Sequence, residues 1–278
     1  MNRPGSVGAM LAVALCVVAG VSTAHAQIGP ARRIEGAPVA SEAVHARFAW
    51  GDGGNRIIWV NQADEVYYHR VHNNRVDPHI RMRGHTIGHS GDPTEYVIPW
   101  SRNEILVVTG QGNLYRHVIR SESIGPAEQI PGAPVGTQGQ DPIFMFRIAN
   151  RLINVTRQGE IWAHVIGNTV QPPQRLGQVA IAAPRVVRHV WNVGNTVYAV
   201  SDQGEVYAHD IHPNFGRGRL IASRSDVLGR PATRFVFILG TNLQAVNEQG
   251  TLWAHDIRAL LPQRGGAAPA EGAAPPAQ

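Results

Sequence analysis

The chain has 278 residues, a formal net charge of +5, 43% hydrophobic residues and only 16% charged residues. That balance is too apolar for a disordered chain and too interrupted for an integral membrane protein, while 30 Gly and 19 Pro signal many turns. All 25 basic residues are Arg, which excludes Schiff-base and Walker-type lysine chemistry, and without a basic run the positive excess does not point to nucleic acid.

Residues 1–26 read as a secretory signal peptide. Arg3 supplies the charged start, Ala9–Val21 an apolar core, and Ala24-His25-Ala26 a small-x-small cleavage pattern. The apolar core is too short to span a bilayer, which takes about 20 residues. Leu15 before Cys16 does not fit a lipoprotein site, and Cys16 is the only cysteine. The mature chain from Gln27 is therefore expected to be secreted or periplasmic, without disulfides and without a membrane span.

The body is repetitive. Glu65-Val66-Tyr67-Tyr68-His69, Asn113-Leu114-Tyr115-Arg116-His117, Glu160-Ile161-Trp162-Ala163-His164, Glu205-Val206-Tyr207-Ala208-His209 and Thr251-Leu252-Trp253-Ala254-His255 share one pattern, with intervals of 48, 47, 45 and 46 residues. A Gln-Gly pair at 111, 158, 203 and 249 precedes four of them. A period of about 40–50 indicates a propeller or solenoid. Each unit reads as an aromatic strand (Phe48–Trp50 in the first), a β-rich strand, a tight turn and the aromatic–His strand. A fourth run opens on [Ile/Val]-x-Pro, as in Val76-Asp77-Pro78, and proline suits an edge strand.

The fifth unit lacks a fourth run after Ile257. Ile28–Val39 supplies a close copy of Ile124–Val135 at the other end of the sequence. The expectation is an all-β, five-bladed β-propeller of four-stranded blades over residues 27–262, closed by the N-terminal strand beside Leu252–Ile257. The Ala/Pro/Gly-rich tail, 263–278, is expected to be disordered.

Gly194–Val200 followed by Glu205-Val206-Tyr207, with a looser copy in Asn103–Val108 and Asn113-Leu114-Tyr115, resembles the repeats of the tachylectin-type lectins. The resemblance implies a five-bladed propeller that binds N-acetylated amino sugars, one site per blade.

Several residue sets are candidates for chemistry. His69, His117, His164, His209 and His255 occupy equivalent positions of separate units and cannot converge on one metal, so each is expected to be hydrogen-bonded within its own unit. His85 and His89, near His69, His72 and His79, have the i, i+4 spacing of a helical metal pair, but the stretch reads as a loop, which argues against a metal site there. One face of the first strands carries Arg47/Ala49, Val97/Pro99, Ile143/Met145, Arg188/Val190 and Arg234/Val236, and is expected to line the central channel. Arg47, Arg188 and Arg234 at one mouth favour an anionic ligand, unless loop acids such as Glu42, Glu95, Asp141 or Asp226 pair with them. Gln111, Gln158, Gln203 and Gln249 repeat around the rim of the long loops, where amide side chains suit sugar hydroxyls or merely precede a turn glycine. The Asn55, Asn103, Asn150, Asn195 and Asn242 column on the opposite rim reads as structural.

Catalytic signals are poor. Gly-x-Ser-x-Gly and Gly-x-Gly-x-x-Gly are absent, Asp52, Asp92 and Asp141 sit in turn contexts, and the expected channel face carries no acid pair of the kind a glycosidase needs. The sequence points to a binding module with no cofactor and no metal. The first reading is a lectin-like protein for glycans or envelope polysaccharide; the alternatives are an envelope protein–protein scaffold and a glycoside hydrolase.

Overall fold

The computed structural model describes residues 28–89, 91–136, 142–156, 160–177, 186–211, 216, 218–222 and 227–261. The expected signal segment and the Ala/Pro/Gly tail lie outside them. Among the described residues the regular structure is β-strand, with one 3-10 turn at Glu42–Val44.

Strand β1 (Arg32–Gly36) precedes β2 (Ala46–Gly51), β3 (Arg56–Asn61), β4 (Val66–His72) and the short β5 (Arg75–Val76), β6 (Ile80–Arg81) and β7 (Arg83–Gly84). Next come β8 (Thr94–Ser101), β9 (Glu104–Thr109), β10 (Leu114–Arg120), β11 (Ser123–Ile124) and β12 (Glu128–Ile130). They are followed by β13 (Pro142–Ile148), β14 (Arg151–Thr156), β15 (Ile161–Val165) and β16 (Gln174–Gly177). The pattern then repeats as β17 (Val187–Val193), β18 (Thr196–Ser201), β19 (Val206–Asp210) and β20 (Arg219–Ala222), and the last strands are β21 (Thr233–Leu239), β22 (Asn242–Asn247) and β23 (Leu252–Asp256).

Antiparallel pairing runs β2–β3–β4–β6, β8–β9–β10–β12, β13–β14–β15–β16 and β17–β18–β19–β20. The last series is β21–β22–β23 with β1 beside it, Arg32 opposite Ala254, Arg33 opposite Trp253 and Ile34 opposite Leu252. The second strand of each series is covered on both faces and mostly apolar, broken only by the buried Asn154 in β14 and Gln244 in β22. Ile57, Ile58, Trp59 and Val60 of β3 are at most 2% exposed.

The sequence leads to separate four-stranded sheets; hydrogen bonding groups the strands into one nine-stranded, one six-stranded and two four-stranded sheets. Short parallel bridges cause the merging. Glu35 and Gly36 pair with Arg75 and Val76, and Arg83 and Gly84 with Ser123 and Ile124. A single bridge of the same kind joins Gly132 to Val170. At each contact the glycine has positive φ, 117° at Gly36, 96° at Gly84 and 137° at Gly132. A Cβ there would collide with the facing carbonyl oxygen of Val76, Ile124 or Val170. The repeated Ile-x-Gly-Ala-Pro-Val segments are thus clasps from the outer strand of one series to the next.

Apolar clusters fill the space between successive series. Trp50, Ile58 and Tyr68 pack with Val107 and Tyr115. Ile98, Leu106 and Val108 pack with Leu152 and Ile166. Ile153 and Val155 pack with Val197 and Ala199, and Trp191 and Tyr198 with Leu243 and Ala245. Phe237, Val246 and Leu252 then pack with Ile57 and Trp59, which returns the core to its start. The first strands follow the same cycle: β2 lies beside β8 and β21, β13 beside β8 and β17, and β17 beside β21.

Candidate functional site

The first strand of every series carries a one-residue register irregularity at the same place. It falls between Ala46 and Phe48, Thr94 and Tyr96, Pro142 and Phe144, Val187 and His189, and Thr233 and Phe235. The unpaired residues are Arg47, Glu95, Ile143, Arg188 and Arg234. Bulges re-aim side chains at sheet ends and are common beside binding sites. This register corrects the expected channel face in the second unit. Tyr96 opposes Val108 as Phe48 opposes Val60, so Glu95, not Val97, is the counterpart of Arg47. The two-residue offset arises because β8 is longer than the others and has a second irregularity between Pro99 and Ser101. The opposite face of these strands packs between successive series, with Trp50, Ile98, Phe146, Trp191 and Phe237 all buried.

Arg47 and Arg234 open onto one cavity of about 380 Å³, lined also by His45, Ala46, Phe48, Gln62 and Glu95. Arg188 is exposed and does not line it. The two arginines are braced alike. Arg47 Nη2 donates to the Thr94 carbonyl, and Arg234 Nη2 donates to the Ala46 carbonyl at 2.6 Å, so each reaches the start of the next series. Arg47 Nη1 also lies 3.8 Å from Asp64 Oδ1, an acid outside the expected loop partners. Arg234 Nη1 is buried with no acceptor. Glu95 is exposed and forms no hydrogen bond or ion pair among the described residues.

Asp64 sits in the β3–β4 turn and is the departure from repeat symmetry beneath this cavity. The corresponding turns share one design. The first turn residue (Asn61, Thr109, Thr156, Ser201 or Asn247) accepts the N–H four residues on, at 2.8–3.2 Å, with its side-chain oxygen. The fourth turn residue has positive φ, 78° at Gly112, 80° at Gly204 and 79° at Gly250, but in the first unit it is Asp64, at 56°. Burial raises the Asp64 pKa, against the opposing pull of Arg47 and the Thr94 hydroxyl. The repeat alignment already carries this signal, since the first unit has Ala63-Asp64 where the others have Gln-Gly.

The glutamine column lies at the third position of these turns. Gln111, Gln203 and Gln249 are exposed; Gln158 is outside the described residues. Their local bonds are turn bonds: Gln111 N–H to Asp92 Oδ1 at 3.1 Å, Gln203 N–H to Ser201 Oγ at 3.3 Å, and Asn247 Nδ2 to Gln249 Oε1 at 2.6 Å. The glycine is therefore what the turn requires. Asp92 is buried and clamps the β9–β10 turn through Thr109, Gln111 and Asn113; Asp52 braces the β2–β3 turn through Gly54 and Arg56. On the opposite rim, the carbonyls of Asn55, Asn103, Asn150 and Asn195 accept the N–H groups of Val71, Ile119, Ile166 and Ile211, at or just past the end of each third strand. The fifth acceptor is Thr241, which holds the place just before β22 that asparagine holds in the other units, while Asn242 is the first residue of that strand.

All five column histidines are buried, and each Nδ1 meets a backbone carbonyl: Asp77, Gly125, Gln171, Gly216 and Gly29, at 2.8–3.1 Å. Four of those acceptors are the middle residue of an [Ile/Val]-x-Pro element. Burial holds all five imidazoles below their ordinary pKa, against the backbone hydrogen bond. They are neutral struts that tie third strands to fourth. No group of three or more His, Cys, Asp or Glu among the described residues is placed to hold a metal ion, and no described helix is long and apolar enough to cross a membrane.

No protein-family model matches the chain, and no curated protein matches it. Among solved structures, it is similar to Myxococcus xanthus glutaminyl cyclase at 8% identity and a TM-score of 0.49, covering 82% of this chain and 96% of that one. It is also similar to YCF48 bound to D1 peptide, at 12% identity and a TM-score of 0.43, covering 85% and 99%. Human WBSCR16 follows at 13% and 0.37, and the match spans 75% of this chain and 61% of that one. The class of the protein rests on its own strand pairings and cyclic packing, which are those of a repeat protein of β-propeller type.

Proposed function

We propose that the chain is an exported, non-catalytic β-propeller of five four-stranded blades, and that it serves as a scaffold for a partner protein in the cell envelope. The blade count is supported by the antiparallel series described above, by the cycle of first strands, and by β1 as the outer strand beside β23. The observation that carries the functional reading is the ring of bulges. It presents Arg47, Glu95, Ile143, Arg188 and Arg234 at one rim, three arginines interrupted by an acid and an aliphatic side chain. Such a broken ring suits one oriented partner better than five copies of one small ligand. Photo-cross-linking from Arg188 and Gln203 on this rim, with Asn103 on the other as the reference, tests it. A discrete protein adduct is expected from the first two positions only; equal labelling from Asn103, or no adduct, removes the reading.

A lectin of the tachylectin type is the second reading, favoured by Gln111, Gln203 and Gln249 standing exposed at equivalent positions on the same rim. Multivalent glycan binding is its mechanism, weak per site and tight in sum. A glycan array that gives one sugar class, lost on changing those glutamines to Ala, replaces the scaffold reading with this one.

A further inference from the structure

The cavity between β2 and β21 holds two charges, on Arg234 and Glu95, that the described residues do not fully answer. Arg47 is spoken for: one nitrogen donates to the Thr94 carbonyl, and the other faces Asp64. Arg234 is half satisfied. Its Nη2 bonds the Ala46 carbonyl, while its Nη1 is buried without an acceptor, a costly state for a guanidinium. Glu95 lines the same cavity and has no cationic partner among the described residues, where no ion pair joins it to either arginine. Ala46 and Phe48 add a small apolar surface, and the space, about 380 Å³, is within the range of small-molecule sites.

We propose that this cavity binds a small zwitterion, an α-amino acid, with its carboxylate on the Arg234 guanidinium and its ammonium on Glu95. Each single-charge ligand is a poorer match. An anion alone, phosphate included, meets Glu95. A cation alone meets Arg234. A molecule with both charges a few ångströms apart pairs with the guanidinium and the carboxylate together. Asp64 keeps Arg47 from dominating the site, so the pocket carries two poles rather than one positive patch.

Calorimetric titration of the chain near neutral pH with alanine, N-acetylalanine (carboxylate only) and alanine amide (cation only) tests this. Alanine is expected to bind at least about tenfold more tightly than either half-ligand. Glu95→Gln, an exposed change, is expected to erase that preference over N-acetylalanine, Arg234→Gln to erase alanine binding, and Arg151→Gln, exposed at the start of β14 beside Asn150 on the opposite rim, to change nothing. Silence with alanine up to about 10 mM, equal binding of alanine and N-acetylalanine, or unaltered binding in Glu95→Gln overturns the proposal. Cross-linking from Arg188 and Gln203 reads the partner rim separately, so either result stands without the other.

Discussion

A residue at the fourth position of each β3–β4-type turn must take positive φ, and in the first unit Asp64 does so where the others have glycine. A non-glycine there carries strain, and strain of this kind collects at functional sites. Its carboxylate is also half-buried and poorly hydrated, as its raised pKa records. The ionised form therefore costs stability at neutral pH, while the 3.8 Å approach to Arg47, itself partly exposed, returns little. Asp64→Gly is accordingly expected to raise stability at neutral pH by about 1 kcal/mol in urea unfolding, and to free Arg47 toward the cavity. A loss of stability would show that the Arg47 contact outweighs backbone strain. This position was readable in the sequence as a break in the Gln-Gly repeat. Glu95 was not, because the aromatic pattern of the second unit fits two registers and only the ladder to β9 selects one.

At the scale of elements, the repeated Ile-x-Gly-Ala-Pro-Val segment does two jobs. Its strand part pairs with a third strand, and its glycine crosses to the neighbouring series. The copy at Ile28–Val39 does both across the chain's ends: β1 pairs with β23, and Gly36 meets Val76. His255 adds a third tie, through Nδ1 to the Gly29 carbonyl. Deleting residues 28–39 exposes the edge of β23 and uncovers Val246 and Leu252 in the shared core. The shortened chain is expected to lose cooperative thermal unfolding, and a synthetic 28–39 peptide to restore it by adding as a strand. A sharp melt without the peptide would show that β1 is dispensable for closure. Sequence matching identified this strand; it did not reveal the parallel clasps, because two-residue bridges at a glycine leave no periodic pattern.

At the scale of the molecule, the histidines set the response to acid. Burial holds the five column imidazoles below their ordinary pKa, and His189, buried in β17 next to Arg188, is pushed down to about 4. Each folded-state value lies below the unfolded value of about 6.5, so the unfolded chain takes up protons first as the pH falls. Stability from these groups is complete above about pH 6.5 and is lost as the pH falls through each lowered value, about 4 for His189. Each such group contributes up to about 1.4 kcal/mol per pH unit inside that window. Unfolding free energy measured across it is expected to fall steeply, with a slope of several protons; a flat profile would mean that the imidazoles titrate normally in the folded state.

The sequence by itself determined the all-β character, the repeat and its period, the N-terminal strand that pairs with the last unit, and the hydrogen-bonded character of the histidine column. These follow from local periodicity and from like residues recurring in like surroundings. Tertiary structure decided the rest: which residue occupies each bulge, that Asp64 rather than a loop acid faces Arg47, and that Arg234 and Glu95 line one cavity while Arg188 stands apart. Those relations depend on ladder register and on contacts across turns and between series, up to a separation of 188 positions for Arg234 and Ala46. Only closing the ring brings such residues into contact.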